Sequence, residues 1–543
     1  MKAAKRRSVG GRHAVAPVPP AEPPAPIGPG AARVAALVLA VAAALLAAFL
    51  AQKLFSGLPR VGDEVAYALQ GRIFAAGKLY LAPPAVPEAF AVDNVILTTD
   101  RWCGKYPPGF PLLLAVGWLA GAPWLVNPLL FGLAVFGVYR LGTRLYDAPT
   151  AMGGAVLFAS LPFAFLQASS FLSHMASGAL AVWVLGLVAE GNAGRPVPRL
   201  LAAGLLAGLA FLVRPVSAVL LLAVPVLLLL GLRFPREARL RAAGLLLAGS
   251  LVPLAFLLFF QWRSFGSPFV SGYAVFDPWE GFLGNRHGTR PLGAIVKANV
   301  PWYLEFLPGA LWAVPGPAFL WLALVPVRPR KEDLVVAAAA VGLVAGHVCH
   351  YFHDVLYGGP RFALESTAFL GLLLARALAN AAGLVARPGS PPVARFAGLP
   401  AALCLAASGV LGAATVAREM PKIRAHAENY MGVPNEPLAG ADAAGVGRDA
   451  LVLVDFEDPV RSLDYTAADS PAFAAYLFRN AVDPAAGRRV FARALAGRED
   501  ELVAAYPRAE TWRLVVSYSL PREGEAPMNG PSVFHGLRWS RLR

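Results

Sequence analysis

Charged residues are scarce in this chain of 543 residues: they make up 15% of it, whereas soluble globular domains contain about 25%. Hydrophobic residues make up 57%, and the mean hydropathy is +0.56. This composition excludes an ordinary soluble domain and predicts a polytopic membrane protein.

Cysteine and several catalytic motifs are also rare or missing. The three cysteines, Cys103, Cys349 and Cys404, are widely scattered and form no disulfide or zinc spacing, so we interpret them as small hydrophobic residues. No phosphate-cradling glycine loop or nucleophile elbow is present, which disfavours ATP-driven transport and serine hydrolysis.

Acidic residues are fewer than basic ones, and the net charge is +15 with a pI near 10.0. A strongly basic chain can bind nucleic acid, but here the basic residues cluster in short segments between apolar runs. The positive-inside bias of membrane proteins produces that distribution. We therefore predict no nucleic-acid partner.

The chain begins with a basic and then Pro/Ala/Gly-rich stretch, residues 1–32, which predicts a disordered cytoplasmic tail. Residues 33–54 are apolar and long enough to cross a bilayer. A cleavable signal peptide usually has a shorter apolar region. We therefore predict an uncleaved first span with its N-terminus inside.

Ten further apolar segments predict about 11 spans within residues 33–417, with basic residues at their inner ends. The odd number of spans places the C-terminus outside. Many of these segments are rich in Gly and Ala, which favours close helix packing in lipid. The segments are 124–139, 151–167, 174–189, 200–213, 216–231, 242–260, 309–327, 334–349, 362–379 and 396–416.

The polar stretches between spans complete the predicted architecture. Residues 55–108 form a first periplasmic loop with a surface helix at 64–77, and the apolar stretch that follows, to Ala122, is re-entrant or interfacial. Residues 261–308 form a long outer loop. Residues 418–543 form a small periplasmic α/β domain with strands at 450–455 and 513–517 and a helix at 499–506. The fold class is thus an all-α polytopic membrane protein with a C-terminal α/β extramembrane domain.

Asp63 and Glu64 are adjacent carboxylates placed just after the first span. A carboxylate there can deprotonate an acceptor hydroxyl or amine, or bind a metal. The alternative is that both are solvated acids at the start of the following helix. Neighbouring residues of a helix point in different directions, which favours one base over a two-carboxylate mechanism.

Several basic residues lie on the predicted outer side, where the charge bias disfavours them. Basic groups at membrane depth are costly and are usually paired or functional. A phosphate at the interface would satisfy them through charge-assisted hydrogen bonds. The alternatives are snorkelling and pairing with Asp63, Glu305 or Asp354. The residues are Lys105, Arg214, Arg263, Arg286, Arg290 and Arg361.

A histidine-rich stretch contains His347, His350 and His353 beside Asp354. His350, His353 and Asp354 are candidate metal ligands, but the set lacks a recognised spacing such as H-E-x-x-H. Histidines that hydrogen-bond at an interface are the simpler interpretation. His174, at the start of a span, is open to the same two interpretations.

The order of these motifs resembles that of a known family. The first outer loop opens with Asp63-Glu64 and Tyr67 and ends in Lys105-Tyr-Pro-Pro-Gly. Later segments contain Arg214-Pro, Phe265-Gly-Ser-Pro-Phe with Tyr273, and Tyr357-Gly-Gly-Pro-Arg-Phe. From residue 33 to about residue 417 the layout resembles the GT-C glycosyltransferases, in the bacterial branch related to protein O-mannosyltransferases and to the lipid A aminoarabinose transferase.

The resemblance implies an enzyme of the bacterial inner membrane that transfers a sugar, usually with inversion. The donor would be a polyprenyl-phosphate sugar on the periplasmic face, and the acceptor a lipid, glycan or protein. Asp63 would be the catalytic base, supported by Glu64. Lys105, Arg361 and Arg214 would bind the carrier phosphate. The candidates for further donor or acceptor contacts are Tyr67, Tyr106, His174, Tyr273 and Tyr357.

No nucleotide cofactor is implied, and a divalent metal stays open. Many members of the family that the chain resembles have a second acidic residue in the next outer loop, where this chain has Ser169, Ser170, Ser173 and His174. Two other classes remain as alternatives. A secondary transporter or flippase would have internal repeats and charges at mid-membrane, and a non-catalytic scaffold would leave Asp63 and Lys105 unexplained.

Overall fold

The computed structural model describes residues 29–192, 194–277, 291–312, 325–350, 353–357, 359–385, 437–459, 487–519 and 533–543, together with short stretches and single positions between them. Helices dominate the described part up to Val385. In chain order they are α1 (Pro29–Lys53), α2 (Gly62–Ala75), α3 (Gly109–Leu119), α4 (Val126–Leu145), α5 (Ala148–Ala159), α6 (Pro162–Ala168), α7 (His174–Ala189), α8 (Pro196–Val213), α9 (Pro215–Arg233), α10 (Arg236–Phe265), α11 (Gly272–Phe276), α12 (Leu292–Trp312), α13 (Lys331–Val348) and α14 (Leu364–Val385).

The chain is a membrane protein by the length and apolar character of these helices. Within the described ranges, six are long and apolar enough to cross a membrane, and there are seven crossings if the bent pair α5 and α6, which meet at 65°, counts as one. The six are Gly30–Lys53, Pro123–Leu145, Pro196–Val213, Pro215–Arg233, Arg236–Phe265 and Arg361–Ala382.

The predicted total of about 11 spans is not confirmed. Segment 174–189 forms α7, which has 16 residues and is shorter than these six helices, and segment 334–349 lies in α13. The predicted outer loop 261–308 is wrong in its second half, because α12 begins at Leu292. Segment 309–327 lies mostly outside the described residues, and 396–416 almost entirely so.

The predicted tail and surface helix also need adjustment. Helix α1 begins at Pro29, inside the predicted tail 1–32, and residues 1–28 lie outside the described part. The helix predicted at 64–77 forms as α2, but ten of its 14 residues are buried in the protein rather than covering a surface. Helix α3 packs against α2 where a Cβ on Gly71 would lie 2.9 Å from Leu114 Cβ.

Small residues let α8 and α10 approach closely, as the Gly content predicts. A Cβ built on Gly204 would lie 2.0 Å from the carbonyl oxygen of Leu246, and one on Gly249 would lie 2.1 Å from that of Leu201. Only glycine allows such backbone contact, which is the usual basis of helix association in membranes.

Short strand pairs connect some of the helices: β1 (Val95–Leu97) with β2 (Trp102–Gly104), β3 (Val355–Leu356) with β4 (Gly359–Pro360), and β5 (Asn429–Tyr430) with β6 (Val433–Pro434). A larger sheet follows α15 (Pro437–Ala443). It consists of β7 (Ala450–Asp458), β8 (Leu463–Asp464), β9 (Arg489–Arg493), β10 (Glu510–Ser519) and β11 (Val533–Arg541), with α16 (Glu499–Ala505) before β10.

Strand β7 lies at the centre of this sheet, parallel to β10 and to β9. The strands predicted at 450–455 and 513–517 and the helix predicted at 499–506 are therefore confirmed; a position outside the membrane stays a prediction. The sheet region contacts the first loop, because Arg493 Nη2 donates to the carbonyl of Ala91 at 2.6 Å and Arg72 Nη2 donates to that of Asn480 at 2.7 Å.

Ion pairs mark one end of the helical bundle. Glu190, which caps α7, pairs with Arg140 and Arg144 from the end of α4 and with Arg199 from the start of α8. Helix α7 is 16 residues long, so His174 at its other end lies about 24 Å away. The loops at that opposite end contain the candidate site.

Candidate active site

Asp63 lies in the first turn of α2 and is held by side chains from three parts of the chain. Its Oδ1 accepts hydrogen bonds from Asn94 Nδ2, at 3.0 Å, and from the Tyr106 hydroxyl. Its Oδ2 forms an ion pair with Arg361 Nη1. The side chain keeps 21% of its surface exposed, so the carboxylate is fixed in position and still reachable.

Opposing effects act on the pKa of Asp63. Burial alone would raise it, but the charge of Arg361 and the hydrogen bonds from Tyr106 and Arg361 outweigh burial. The pKa therefore lies below its ordinary value, and Asp63 is ionised at neutral pH. An ionised carboxylate can accept a proton or a cation.

Arg361 bridges two carboxylates. It follows β4 directly, and its Nε lies 2.8 Å from Asp354 Oδ1 while its Nη1 faces Asp63. The guanidinium carbon lies 5.0 Å from the centroid of the Phe362 ring. Pairing with acids, one of the three interpretations given for these basic residues, is thus observed for Arg361. Burial raises the pKa of Asp354.

Glu64 points away from Asp63, as adjacent helical positions predict. It is fully buried, its Oε2 accepts the backbone N–H of Arg60 at 2.6 Å, and its Oε1 accepts the Tyr357 hydroxyl at 3.2 Å. Burial raises the pKa of Glu64 to about 7, although these hydrogen bonds lower it in part. Glu64 therefore joins the first turn of α2 to the chain before it and to the β3–β4 turn.

Lys105 lies among aromatic rings next to the Asp63 cluster. Its Nζ lies 4.5 Å from the ring centroid of Phe276, 5.4 Å from that of Tyr106 and 5.5 Å from that of Tyr273. Only 9% of the residue is exposed. Its charge is close enough to contribute to the lowered pKa of Asp63.

A second polar cluster lies deeper, between α7, α8 and α14. Arg214 Nε lies 3.2 Å from Glu365 Oε1, and Arg214 Nη1 donates to Ser173 Oγ at 3.2 Å. His174 Nδ1 lies 3.3 Å from the same carboxylate. The Tyr67 hydroxyl lies 2.9 Å from Ser173 Oγ. The structure thus places Arg214 and His174 with Glu365, not with Lys105.

Aromatic rings connect the two clusters. Tyr67 stacks on Tyr106, with 4.4 Å between ring centroids, and Tyr106 donates to Asp63. On the other side, the Phe362 ring lies 5.7 Å from the guanidinium carbon of Arg214. The candidate site is therefore one continuous layer of polar and aromatic groups at this end of the bundle.

The candidate metal ligands take separate partners. His350 packs against Phe362, with 5.7 Å between centroids, and His353 packs against Trp302 at 4.4 Å. Asp354 faces the guanidinium described above. In the part of the chain that the structure describes, no group of three or more His, Cys, Asp or Glu could hold a metal ion. A metal requirement stays open.

Among the polar residues of this site, sequence reasoning missed Glu365 and Asn94. Glu365 could have been found, because a single carboxylate within the apolar segment 362–379 is itself unusual and indicates a partner or a function. Asn94 gave no such signal, since an amide in a polar loop is ordinary.

With the site at one end of a bundle of membrane helices, the chain has the fold of the GT-C glycosyltransferases. The solved structures similar to it include ArnT from Cupriavidus metallidurans in its apo state, with a TM-score of 0.52, 16% identity, and coverage of 90% of this chain and 93% of that one. The same protein bound to undecaprenyl phosphate gives a TM-score of 0.51 and 15% identity, covering 89% and 93%.

An oligosaccharyltransferase from Archaeoglobus fulgidus, tethered with an acceptor peptide, gives a TM-score of 0.47 at 13% identity, covering 88% of this chain and 68% of that one. No protein-family model matches the chain, and no curated protein matches its sequence. The predicted resemblance is confirmed at the level of the fold.

Proposed function

We propose that the protein is a glycosyltransferase that moves a sugar from a polyprenyl-phosphate donor to a lipid, glycan or protein acceptor. The observation that supports this most directly is an ionised, partly exposed carboxylate, Asp63, next to two cations, Arg361 and Lys105, at one end of an ArnT-like bundle. The similar ArnT structure binds undecaprenyl phosphate.

In the proposed reaction, an acceptor oxygen or nitrogen attacks the anomeric carbon while the bond from that carbon to the carrier phosphate breaks. Asp63 takes the acceptor proton. Its lowered pKa makes it a weak base, so proton transfer becomes favourable only as the acceptor atom bonds to the sugar and becomes acidic. The bonding electrons leave with the phosphate.

Lys105 and Arg361 would stabilise the negative charge that develops on that phosphate. A guanidinium has five N–H donors, so Arg361 can contact a phosphate while it keeps a carboxylate. Asn94 and Tyr106 position Asp63 through its Oδ1. Arg214, which the sequence suggested for the phosphate, is proposed instead to position Ser173 and Tyr67.

We infer the orientation from the charges at the two ends of the bundle. The arginines around Glu190 lie at the end that the positive-inside bias assigns to the cytoplasm. The candidate site lies at the other end and would face the periplasm of a bacterial inner membrane. The donor on that face would then be the lipid-linked sugar, and no nucleotide sugar would be required.

The test is sugar transfer by purified protein from a panel of radiolabelled polyprenyl-phosphate sugars into membrane extracts. We expect transfer by the wild type and a loss of about 100-fold or more in Asp63→Asn, the usual contribution of a general base. Asp93→Asn, an exposed acid of the same loop, is the matched control and should transfer normally.

Unchanged transfer in Asp63→Asn would remove Asp63 from the role of base but keep the enzyme. Binding of the donor that depends on Lys105, without transfer, would favour a transporter of the lipid-linked sugar. Normal behaviour of both Asp63→Asn and Lys105→Met in every assay would favour a scaffold.

A further inference from the structure

The ammonium of Lys105 is surrounded by three aromatic rings that come from two distant parts of the chain. Tyr106 is its sequence neighbour, while Tyr273 and Phe276 belong to the short helix α11. The Phe276 ring is the nearest, at 4.5 Å, within the range in which a cation is attracted to the ring face. We call these three rings the Lys105 box.

Helix α11 is seated directly on the backbone of Lys105. A Cβ built on Gly272 would lie 2.2 Å from the Lys105 carbonyl oxygen, so any other residue would force the two segments apart. Tyr106 and Tyr273 also contact each other edge to face, with 5.7 Å between centroids. The box is therefore fixed by backbone contact as well as by ring contacts.

We propose that Tyr273 and Phe276 are positioning residues that hold the Lys105 ammonium toward the carrier phosphate. This inference deepens the proposed function, because the role of Lys105 in binding the carrier phosphate rests on that function. Ring faces stabilise a cation without accepting its three N–H hydrogen bonds as a carboxylate would. Contacts with three rings therefore favour one position for the ammonium, next to the Asp63 cluster.

The box also links the cation to the base. Tyr106 contributes one ring to the box and donates its hydroxyl to Asp63. Movement of α11 away from Lys105 would therefore disturb the ammonium first and Asp63 second. We therefore expect substitutions in α11 to weaken binding of the donor more than they slow the transfer step.

The first test is the rate at which Lys105 is acetylated in the purified full-length protein, measured by mass spectrometry of the peptide that contains it. We expect Phe276→Leu and Tyr273→Leu to raise this rate by about fivefold, since Lys105 is buried and loss of a ring exposes its amine to the reagent. Tyr273→Phe keeps the ring and should behave like the wild type. Phe269→Leu, at an exposed position before α11, is the matched control.

The second test is a double-mutant cycle on the binding of undecaprenyl phosphate. Phe276→Leu should raise the Kd about fivefold when Lys105 is present. In a Lys105→Met background the same substitution should change the Kd by no more than about twofold, because a ring that acts through Lys105 loses its effect when the ammonium is absent. An equal rise in both backgrounds would overturn the proposal and leave Phe276 as a packing residue.

The two tests separate this inference from the proposed function. Faster acetylation with no binding of undecaprenyl phosphate by the wild type would keep the box but refute its role in binding the carrier, together with the proposed donor. Unchanged acetylation in both leucine variants would refute the box, while transfer lost in Asp63→Asn would still support the enzyme.

Discussion

Arg361 and Asp63 lie 298 positions apart in the sequence and form an ion pair that connects the β3–β4 turn to the first turn of α2. The pair places a carboxylate and a cation in direct contact, and Asp354 binds the same guanidinium through its Nε. Burial raises the pKa of Asp63 and is the largest single effect on it, but the contacts with Arg361 and Tyr106 together outweigh burial.

The first prediction concerns the pH dependence of the proposed transfer. In Arg361→Gln, the largest of the effects that oppose burial is removed, so the pKa of Asp63 should rise. The acidic limb of kcat/KM should then move to higher pH. The measurement is kcat/KM for transfer by the wild type and by the variant, from acidic to neutral pH.

The position of the limb is the readout, because the height of the profile also falls if Arg361 contacts the phosphate. Arg263→Gln, at an exposed basic position in the last turn of α10, should leave the limb in place. An unchanged limb in Arg361→Gln would mean that Asp63 is not the group that limits the rate in acid.

The sequence offered the pairing of Arg361 with Asp63 only as one alternative beside phosphate binding and snorkelling. No periodic pattern connects residues in separate loops, so the sequence could not choose among them. Hydropathy predicted α1, α4, α8, α9 and α10 well, since each is a long apolar run. It missed α12, whose apolar pattern is interrupted by Lys297, Asn299 and Glu305. Asp63 was singled out because two adjacent carboxylates follow the first span. Glu365 was missed, although a single carboxylate in an apolar segment indicates a partner or a function.

The second prediction concerns Glu64 and stability. Its pKa is raised from an ordinary value of 4.5 to about 7 in the folded protein. Below 4.5 both folded and unfolded states bind the proton; as the pH rises to about 7, the folded state retains it and the unfolded state does not. The contribution of Glu64 to the free energy of unfolding is therefore fully present below pH 4.5 and is lost as the pH rises through about 7. The loss is about 3 kcal/mol in all.

Glu64→Gln removes this dependence, because an amide can accept from the Arg60 N–H and donate to the Tyr357 hydroxyl without any charge. We expect the variant to exceed the wild type in apparent Tm at about pH 8 by more than at about pH 5. Thermal unfolding of the purified protein at both values measures this. Equal differences in apparent Tm at the two pH values would mean that the pKa of Glu64 is not raised in the folded protein.

The third prediction concerns the deeper polar cluster. Glu365 is the carboxylate shared by Arg214 and His174, so Glu365→Ala leaves the partly buried guanidinium of Arg214 without its acid. The cost should be about 3–5 kcal/mol, the usual loss when one partner of a buried pair is removed. The measurement is the fraction of protein that stays monodisperse after heating in detergent.

The double variant Arg214→Leu with Glu365→Leu removes both charges and should recover a large part of the loss. If the double variant were no more stable than Glu365→Ala alone, the pair would not be the reason for the instability. This comparison tests stability only and does not depend on any transfer activity.

The last prediction concerns the contact between α8 and α10. At Gly249 a Cβ would lie 2.1 Å from the carbonyl oxygen of Leu201, a backbone atom that cannot move without the whole helix. Lipid offers no hydrophobic force that favours helix association, so close packing of this kind is what holds the pair together. Gly249→Ala should therefore lower the apparent Tm through a cost of about 1–3 kcal/mol or more.

Gly244 is the matched control, because it lies five positions earlier on the same helix and a Cβ there would meet nothing within 4 Å. Gly244→Ala should raise stability slightly, by up to about 1 kcal/mol, since alanine favours a helix over glycine. The two substitutions make the same chemical change in α10, so helix propensity alone would shift both in the same direction. Opposite shifts in apparent Tm would mean that α8 and α10 meet through backbone contact; two equal increases would mean that they do not.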